Sequence, residues 1–213
     1  EIIEALGFPL LQIEGIEADD VIGTLASRAG KAGTRVLIST GDKDFAQLVG
    51  PNVSLINTDG SILDEEAVMA KFGVMPDRIV DYLTLVGDAV DNIPGVPKVG
   101  PKTAVKWLNQ YGSLDGVVEH AGEIKGKVGE SLRATLEQIP LSRRLVTIVK
   151  DIEVGVTVDD LVTDQGNQER LAELYQEYEL NSWLRQLRRD SDLNVVVHEK
   201  NDPTHETLSL IHI

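Results

Sequence analysis

The segment Thr34 to Thr40 reads TRVLIST, a nearly continuous apolar and β-branched run closed by Gly41. A run of this length without strict alternation suits a strand buried on both faces of a parallel sheet, which limits the fold to the α/β class. Its neighbours agree. Leu10 to Ile13 is a short strand candidate, and Glu17 to Ala32 places Val21, Ile22, Leu25 and Ala29 at helical spacing before Gly33. A short helix over Asp44 to Val49, a strand over Val53 to Asn57, a turn at Asn57-Thr58-Asp59-Gly60 and an edge strand at Ile62-Leu63 follow. From Asp64 the pattern turns helical: Glu65 to Phe72, Pro76 to Val86, Pro101 to Tyr111, Gly129 to Ile139, Leu141 to Lys150 and Gln168 to Tyr178. Only Ile152 to Val158 alternates like a strand in this half. A sheet-bearing part followed by a helical part with no flexible linker predicts one α/β domain whose helices pack on the sheet edge.

Composition narrows the chemistry. The chain has 213 residues and no cysteine, which excludes disulfides, thiolate zinc sites, iron–sulfur clusters and cysteine nucleophiles together. Its formal charge of −15 argues against a basic nucleic-acid coat and suggests either a soluble acidic protein or one that gathers carboxylates around metal ions. No apolar run reaches the ~18 residues of a spanning helix, so no membrane partner is expected. The chain opens at Glu1 without a signal-peptide pattern and reads as a fragment. Asp190 to Ile213, with His198, His205 and His212, lacks periodicity and reads as a linker or tail.

Three acidic clusters each fall where a strand ends or a loop meets a helix: Glu17-Ala18-Asp19-Asp20, Asp42-Lys43-Asp44 and Asp88-Ala89-Val90-Asp91. Each alone could be a helix cap or an offset to the helix dipole. Together they point elsewhere, because ligands of open α/β sheets bind beyond the carboxyl ends of strands, where the first two clusters lie. Seven carboxylates in one crevice repel by several kcal/mol per pair at ~4 Å unless cations sit between them. Oxygen-only ligands favour Mg²⁺ or Mn²⁺ over zinc, and two such ions ~3.5–4 Å apart suit cleavage of a phosphodiester.

Directly after Asp91 comes NIPGVPKVGPKTA, Asn92 to Ala104, leading into an amphipathic helix. Gly95 and Gly100 bracket a hairpin, Pro101 occupies the first helical position, and Lys102 and Lys106 lie one turn apart. A helix start with free N–H groups beside lysines attracts phosphate and can hold a DNA strand without reading bases. Gly95, Val96, Lys98, Gly100, Lys102, Thr103 and Lys106 are the candidate DNA contacts, with a glycine-proline turn that only joins two core helices as the alternative. Trp107, Tyr175, Tyr178 and Trp183 fall on helical stretches, where core packing is expected in place of base stacking.

With EADDVIGTLA (Glu17 to Ala26), ISTGDKDFAQLV (Ile38 to Val49), LINT (Leu55 to Thr58), GDAVDNIPGVPKVGPKTA (Gly87 to Ala104) and the YEL..W segment (Tyr178 to Trp183) side by side, residues 1 to 188 resemble the 5′-nuclease, flap-endonuclease-like family. The resemblance is greatest to the 5′→3′ exonuclease domains that bacterial DNA polymerases of type I carry. It implies a PIN-like parallel-sheet nuclease core over residues 1–92, a helix–hairpin–helix and helical duplex-binding region over 93–188, and a linker or tail over 189–213. It further implies that Glu17, Asp19, Asp20, Asp42, Asp44, Asp88 and Asp91 are metal-site carboxylates, with Asp19, Asp20, Asp42 and Asp44 catalytic. Glu17, Asp19 and Asp20 would serve one ion with help from Asp42 and Asp44, and Asp88 and Asp91 the second.

The hairpin would bind duplex backbone, with K⁺ on its carbonyls. Implied partners are DNA with a 5′ flap, nick or RNA primer and covalently linked polymerase domains, in a cytoplasmic, nucleoid-associated bacterial protein. Family members begin with a strand bearing another metal-site aspartate and a basic helical arch, and neither has a counterpart here. A catalytically inert duplex- or flap-binding module is the alternative on that ground. Lys98 stands at a hairpin position that is commonly glycine, and a positive φ there would cost the lysine ~1 kcal/mol.

Overall fold

The structure is a computed structural model that describes residues 1–194 and 209–212, with side chains to residue 189. Its elements are helices α1 (Ile2–Ala5) and α2 (Ala18–Lys31), strand β1 (Val36–Ser39), a 3₁₀ turn over Asp44–Leu48, strands β2 (Val53–Ile56) and β3 (Ile62–Leu63), and helix α3 (Glu65–Phe72). A 3₁₀ turn at Pro76–Arg78 leads into α4 (Ile79–Val86), β4 (Gly87–Asp88) and β5 (Ile93–Pro94). Helices α5 (Pro101–Tyr111), α6 (Leu114–Glu119), α7 (Gly126–Thr135) and α8 (Ile139–Leu145) follow, then α9 (Gln168–Glu177), α10 (Asn181–Asn194) and strand β6 (Ser209–His212).

The chain divides into two compact units. One comprises Ile16–Glu153 with Leu208–Ile213, and the other comprises Glu1–Gly15 with Val154–Thr207. In the larger unit the sheet order is β3-β2-β1-β6, with β1 parallel to β2 and β6 and β3 antiparallel at the edge. Val36 and Ile38 of β1 are buried while Leu37 and Ser39 are half-buried, so the strand shows alternation where burial on both faces was expected. The buried face packs with Leu25 and Ala26 of α2 and Phe45 of the 3₁₀ turn into one core. All five residues of the 3₁₀ turn, including Asp44 and Gln47, are buried.

Two expected strands do not form. Ile152 to Val158 alternates, yet the Ile152 amide bonds to Thr24 Oγ1 at 3.3 Å and its carbonyl accepts from Arg28 Nη2 at 2.7 Å. Side chains of α2 thus take the backbone groups that a ladder would need. Leu10 to Ile13 is irregular, with Leu10 half exposed and no strand beside it among the described residues. Conversely, α10 runs through Asp190 to Asn194 and β6 forms within the stretch read as tail, while His198 and His205 lie outside the described residues.

The smaller unit packs α1 against α9 and α10. Ala5, Leu171, Leu174, Tyr175 and Leu184 form its core, and Trp183 sets its ring edge on Tyr175 at 5.6 Å. Trp183 and Tyr178 remain about half exposed, in contrast to the core positions expected for them, whereas Trp107 and Tyr175 are buried.

Candidate metal centre and hairpin

All seven carboxylates lie in the larger unit, brought in by three elements. The first two clusters depend on β1 and α2. Past the end of β1, the Asp42 amide donates to Thr40 Oγ1 at 3.0 Å, and Asp42 Oδ1 accepts from the Asp44 amide at 2.9 Å. These two bonds fold GDKD into a tight turn that drives Asp44 inward, to 7% exposure, while Asp42 stays at the surface. Gln47 locks the turn from below: its Nε2 donates to the carbonyls of Asp44 and Val146, both at 2.9 Å, and its Oε1 accepts from the Ile148 amide at 3.0 Å.

At the start of α2, Glu17 is the N-cap residue but makes no side-chain cap bond. Asp20 does not serve its own helix either; its Oδ1 accepts from the Val149 amide at 2.8 Å. No side-chain cap bond therefore accounts for Glu17 or Asp20, although Asp19 and Asp20 do lie in the first turn of α2. The third cluster sits on the β4–β5 ladder, where Gly87 pairs with Pro94 and Asp88 with Ile93. Asp88 is 2% exposed, with Oδ1 accepting from the Val90 amide at 2.9 Å and Oδ2 paired with Lys43 Nζ at 2.8 Å.

Oxygens of Asp44, Asp88 and Asp91 lie within 4.8 Å of one another. Asp44 Oδ1 is buried and has no hydrogen-bond partner. A buried acceptor without a donor is costly, and a cation between these oxygens would satisfy it, so the residues fit a divalent ion. The grouping differs from the expected division of ligands, which placed Asp44 with the α2 carboxylates.

The remaining carboxylates are coupled to this group by charge. Burial pushes the Asp44 carboxyl up to about 7, with Asp42, Asp88 and Asp91 adding to the rise and Lys43 opposing it. Burial also raises Asp19, which in addition feels Asp42, Glu17, Asp20 and Asp91. Asp91 is raised by burial, then by Asp88 and Asp42. For Asp88 burial pushes upward, but the Lys43 ammonium and the Val90 amide outweigh it and leave the group below its ordinary value. Asp19 is thus coupled to Glu17, Asp20, Asp42 and Asp91, and Asp44 to Asp42, Asp88 and Asp91.

The hairpin begins where this set ends. A Cβ on Gly95 would stand 2.3 Å from the Val86 carbonyl, and one on Gly87, at φ +81°, 2.3 Å from the Gly95 amide. Only two glycines allow the strands to close here. Val96 is a core residue, in contrast to the contact expected of it: its side chain is 4% exposed and its amide donates to Leu85 O at 2.9 Å. Lys98 adopts φ +68°, the left-handed conformation, and is exposed.

At the start of α5 the Thr103 and Ala104 amides both turn back to Gly100 O at 3.0 Å, leaving the Gly100 and Lys102 amides outside that turn. Nothing lies within 4 Å of a Cβ built on Gly100. Lys98, Lys102 and Lys106 are exposed, and Gly95, Gly100 and Thr103 are half-buried. Lys43, paired with Asp88, is a functional candidate that the sequence pattern does not single out. The available signal was a cation flanked by two candidate ligands.

The fold has counterparts among solved structures. The T5 5′-exonuclease with bound zinc ions superposes with a TM-score of 0.61 at 24% identity, covering 65% of this chain and 52% of that one. The catalytic core of Rad2 in complex with DNA substrate gives 0.53 at 13% identity, covering 83% and 60%. Two adjoining family descriptions match: "5′-3′ exonuclease, N-terminal resolvase-like domain" over residues 1–73 and "5′-3′ exonuclease, C-terminal SAM fold" over residues 74–169.

The chain belongs to the 5′-3′ exonuclease family. It is 48% identical over 200 residues to DNA polymerase I of Pseudomonas aeruginosa, covering 89% of this chain and 22% of that protein. It is 40% identical over 188 residues to the 5′-3′ exonuclease of Aquifex aeolicus, covering 88% and 64%. The chain thus spans about a fifth of the length of the polymerase relative. Among the described residues, no helix is long and apolar enough to cross a membrane.

Proposed function

We propose that this chain carries the divalent-metal-dependent 5′ nuclease activity of a longer polymerase, acting on DNA with a 5′ flap, nick or RNA primer. The observation that carries the reading is the buried, partnerless Asp44 Oδ1 on a residue whose carboxylate groups with Asp88 and Asp91, with ligand oxygens within 4.8 Å of one another. When bound, Mg²⁺ or Mn²⁺ would supply Lewis acidity at phosphorus and lower the pKa of an attacking water. Asp44, Asp88 and Asp91 would hold one ion and Glu17, Asp19 and Asp20 the other, with Asp42 exposed between them. Asp42 also holds the Asp44 backbone in place through its Oδ1.

Lys98, Lys102, Lys106 and the Gly100 and Lys102 amides would grip the duplex backbone, and Gly100 lets a strand approach closely. The Val96 carbonyl accepts one turn bond, from the Val99 amide at 3.0 Å, and keeps a second lone pair, which suits K⁺. Functionally we keep residues 1–92 as the catalytic part, 93–188 as the duplex-binding part and 189–213 as the link towards polymerase domains. A bacterial cytoplasmic, nucleoid-associated setting accompanies this reading. Support comes from the metal-bound T5 and DNA-bound Rad2 neighbours.

The test is cleavage of a 5′-flap duplex with Mg²⁺ by the chain and by Asp42→Asn/Asp88→Asn. Cleavage lost in the variant while binding persists supports the enzyme. Binding without Mg²⁺-dependent cleavage by the parent chain supports the inert module.

A further inference from the structure

Asp88 presents its two oxygens to different partners. Oδ1 is held by the Val90 amide at 2.9 Å, inside its own loop, and Oδ2 by Lys43 Nζ at 2.8 Å. The Asp88 side chain is 2% exposed, while that of Lys43 is 36% exposed. A carboxylate this buried needs a positive partner to stay ionised, and Lys43 is that partner. The same carboxylate belongs to the Asp44, Asp88 and Asp91 group, where Asp44 Oδ1 has no donor. Oδ2 is the Asp88 oxygen not engaged by backbone, so a divalent ion entering there meets an ammonium already in contact with its ligand. Two cations at a few ångströms repel strongly in a partly buried site.

We propose that Lys43 is a tethered placeholder cation: it holds Asp88 while the site is empty and is displaced from Oδ2 by a divalent ion. It is a positioning residue that sets how weakly the ion at Asp44, Asp88 and Asp91 is held. The chemistry suits lysine. Its ammonium is a single compact charge on a flexible stem, so it can leave along the exposed side, whereas an arginine fork would stay engaged through several donors. Lys43 neutralises Asp88, while Asp44 keeps an oxygen without a donor. The inference rests on the metal-centre reading above.

The test is Mn²⁺ binding, followed by the electron paramagnetic resonance of the free ion, to the 213-residue chain and to Lys43→Met, without DNA. The methionine keeps much of the stem and removes the charge. The variant is expected to bind one Mn²⁺ about tenfold more tightly. Equal or weaker binding by the variant, with saturable binding by the parent, overturns the placeholder and leaves the metal centre intact. No saturable binding by either chain overturns both.

A second measurement needs no variant: Mg²⁺ titration of the parent chain, followed through the ¹³Cε signal of Lys43. Release from Asp88 moves that signal in step with Mg²⁺ occupancy. A signal that stays fixed while Mg²⁺ binds overturns the proposal.

Discussion

The Val149 amide donates to Asp20 Oδ1 at 2.8 Å, joining residues 129 positions apart. A carboxylate at the start of α2 is thereby fastened to the segment after α8, and one oxygen remains for other work. Asp20→Asn keeps an acceptor at Oδ1, so its stability in urea should stay within about 0.5 kcal/mol of the parent, while flap cleavage is lost. Asp20→Ala removes the acceptor and should cost about 1 kcal/mol as well. Equal stability of the two variants would show that the bond holds nothing together.

Asp44 makes the metal-free chain sensitive to pH. Its carboxyl is raised from 3.8 to about 7 in the folded protein, so the fold binds a proton that the unfolded chain releases between those values. Its contribution is full below 3.8 and is lost as pH rises to about 7. The shift corresponds to at most about 4 kcal/mol, which solvent at the open side of the crevice reduces to about 2 kcal/mol. Asp44→Asn should therefore match the parent below pH 4 and gain about 2 kcal/mol above pH 7 in denaturant melts without metal. For the parent, Mn²⁺ affinity should fall as pH drops through about 7, because binding must expel that proton.

Gly95→Ala tests the hairpin closure. The added methyl would meet the Val86 carbonyl carbon and oxygen at 2.3 Å and the Gly87 amide at 2.4 Å, all backbone and unable to yield cheaply. A loss of about 3 kcal/mol is expected in thermal or urea unfolding. Gly100→Ala has nothing within 4 Å to meet and should fold normally, with its defect appearing only in DNA binding.

Lys102→Ala should weaken duplex binding similarly for unrelated sequences and reduce the salt slope of the affinity by about one. Fluorescence anisotropy at several salt concentrations measures both. A loss confined to one sequence would assign the hairpin to base reading.

The parts legible in the sequence were those in which local pattern and tertiary demand agree. Glu65–Phe72 and Pro101–Tyr111 begin and end at the expected residues because an Asp64 cap accepting from the Ala67 amide, Pro101, and glycines at 73 and 112 mark their limits. The carboxylate clusters were visible for the same reason, since each adjoins a recognisable strand end or helix start. What the sequence hid was partnership at a distance. Nothing local says that Asp20 reaches Val149, that Gln47 bridges Asp44 and Val146, or that Lys43 lies on Asp88. The alternation at Ile152 misled because Thr24 and Arg28 compete for the same backbone groups.

The two-rung ladder of Gly87–Pro94 and Asp88–Ile93 joins the acidic loop to the backbone-gripping hairpin through four residues, Ala89 to Asn92. Under the proposed function it works as a ruler. The spacing from anchorage to scission is written into covalent structure, so lengthening that loop by a single residue would shift the cut along the strand before it dimmed the chemistry.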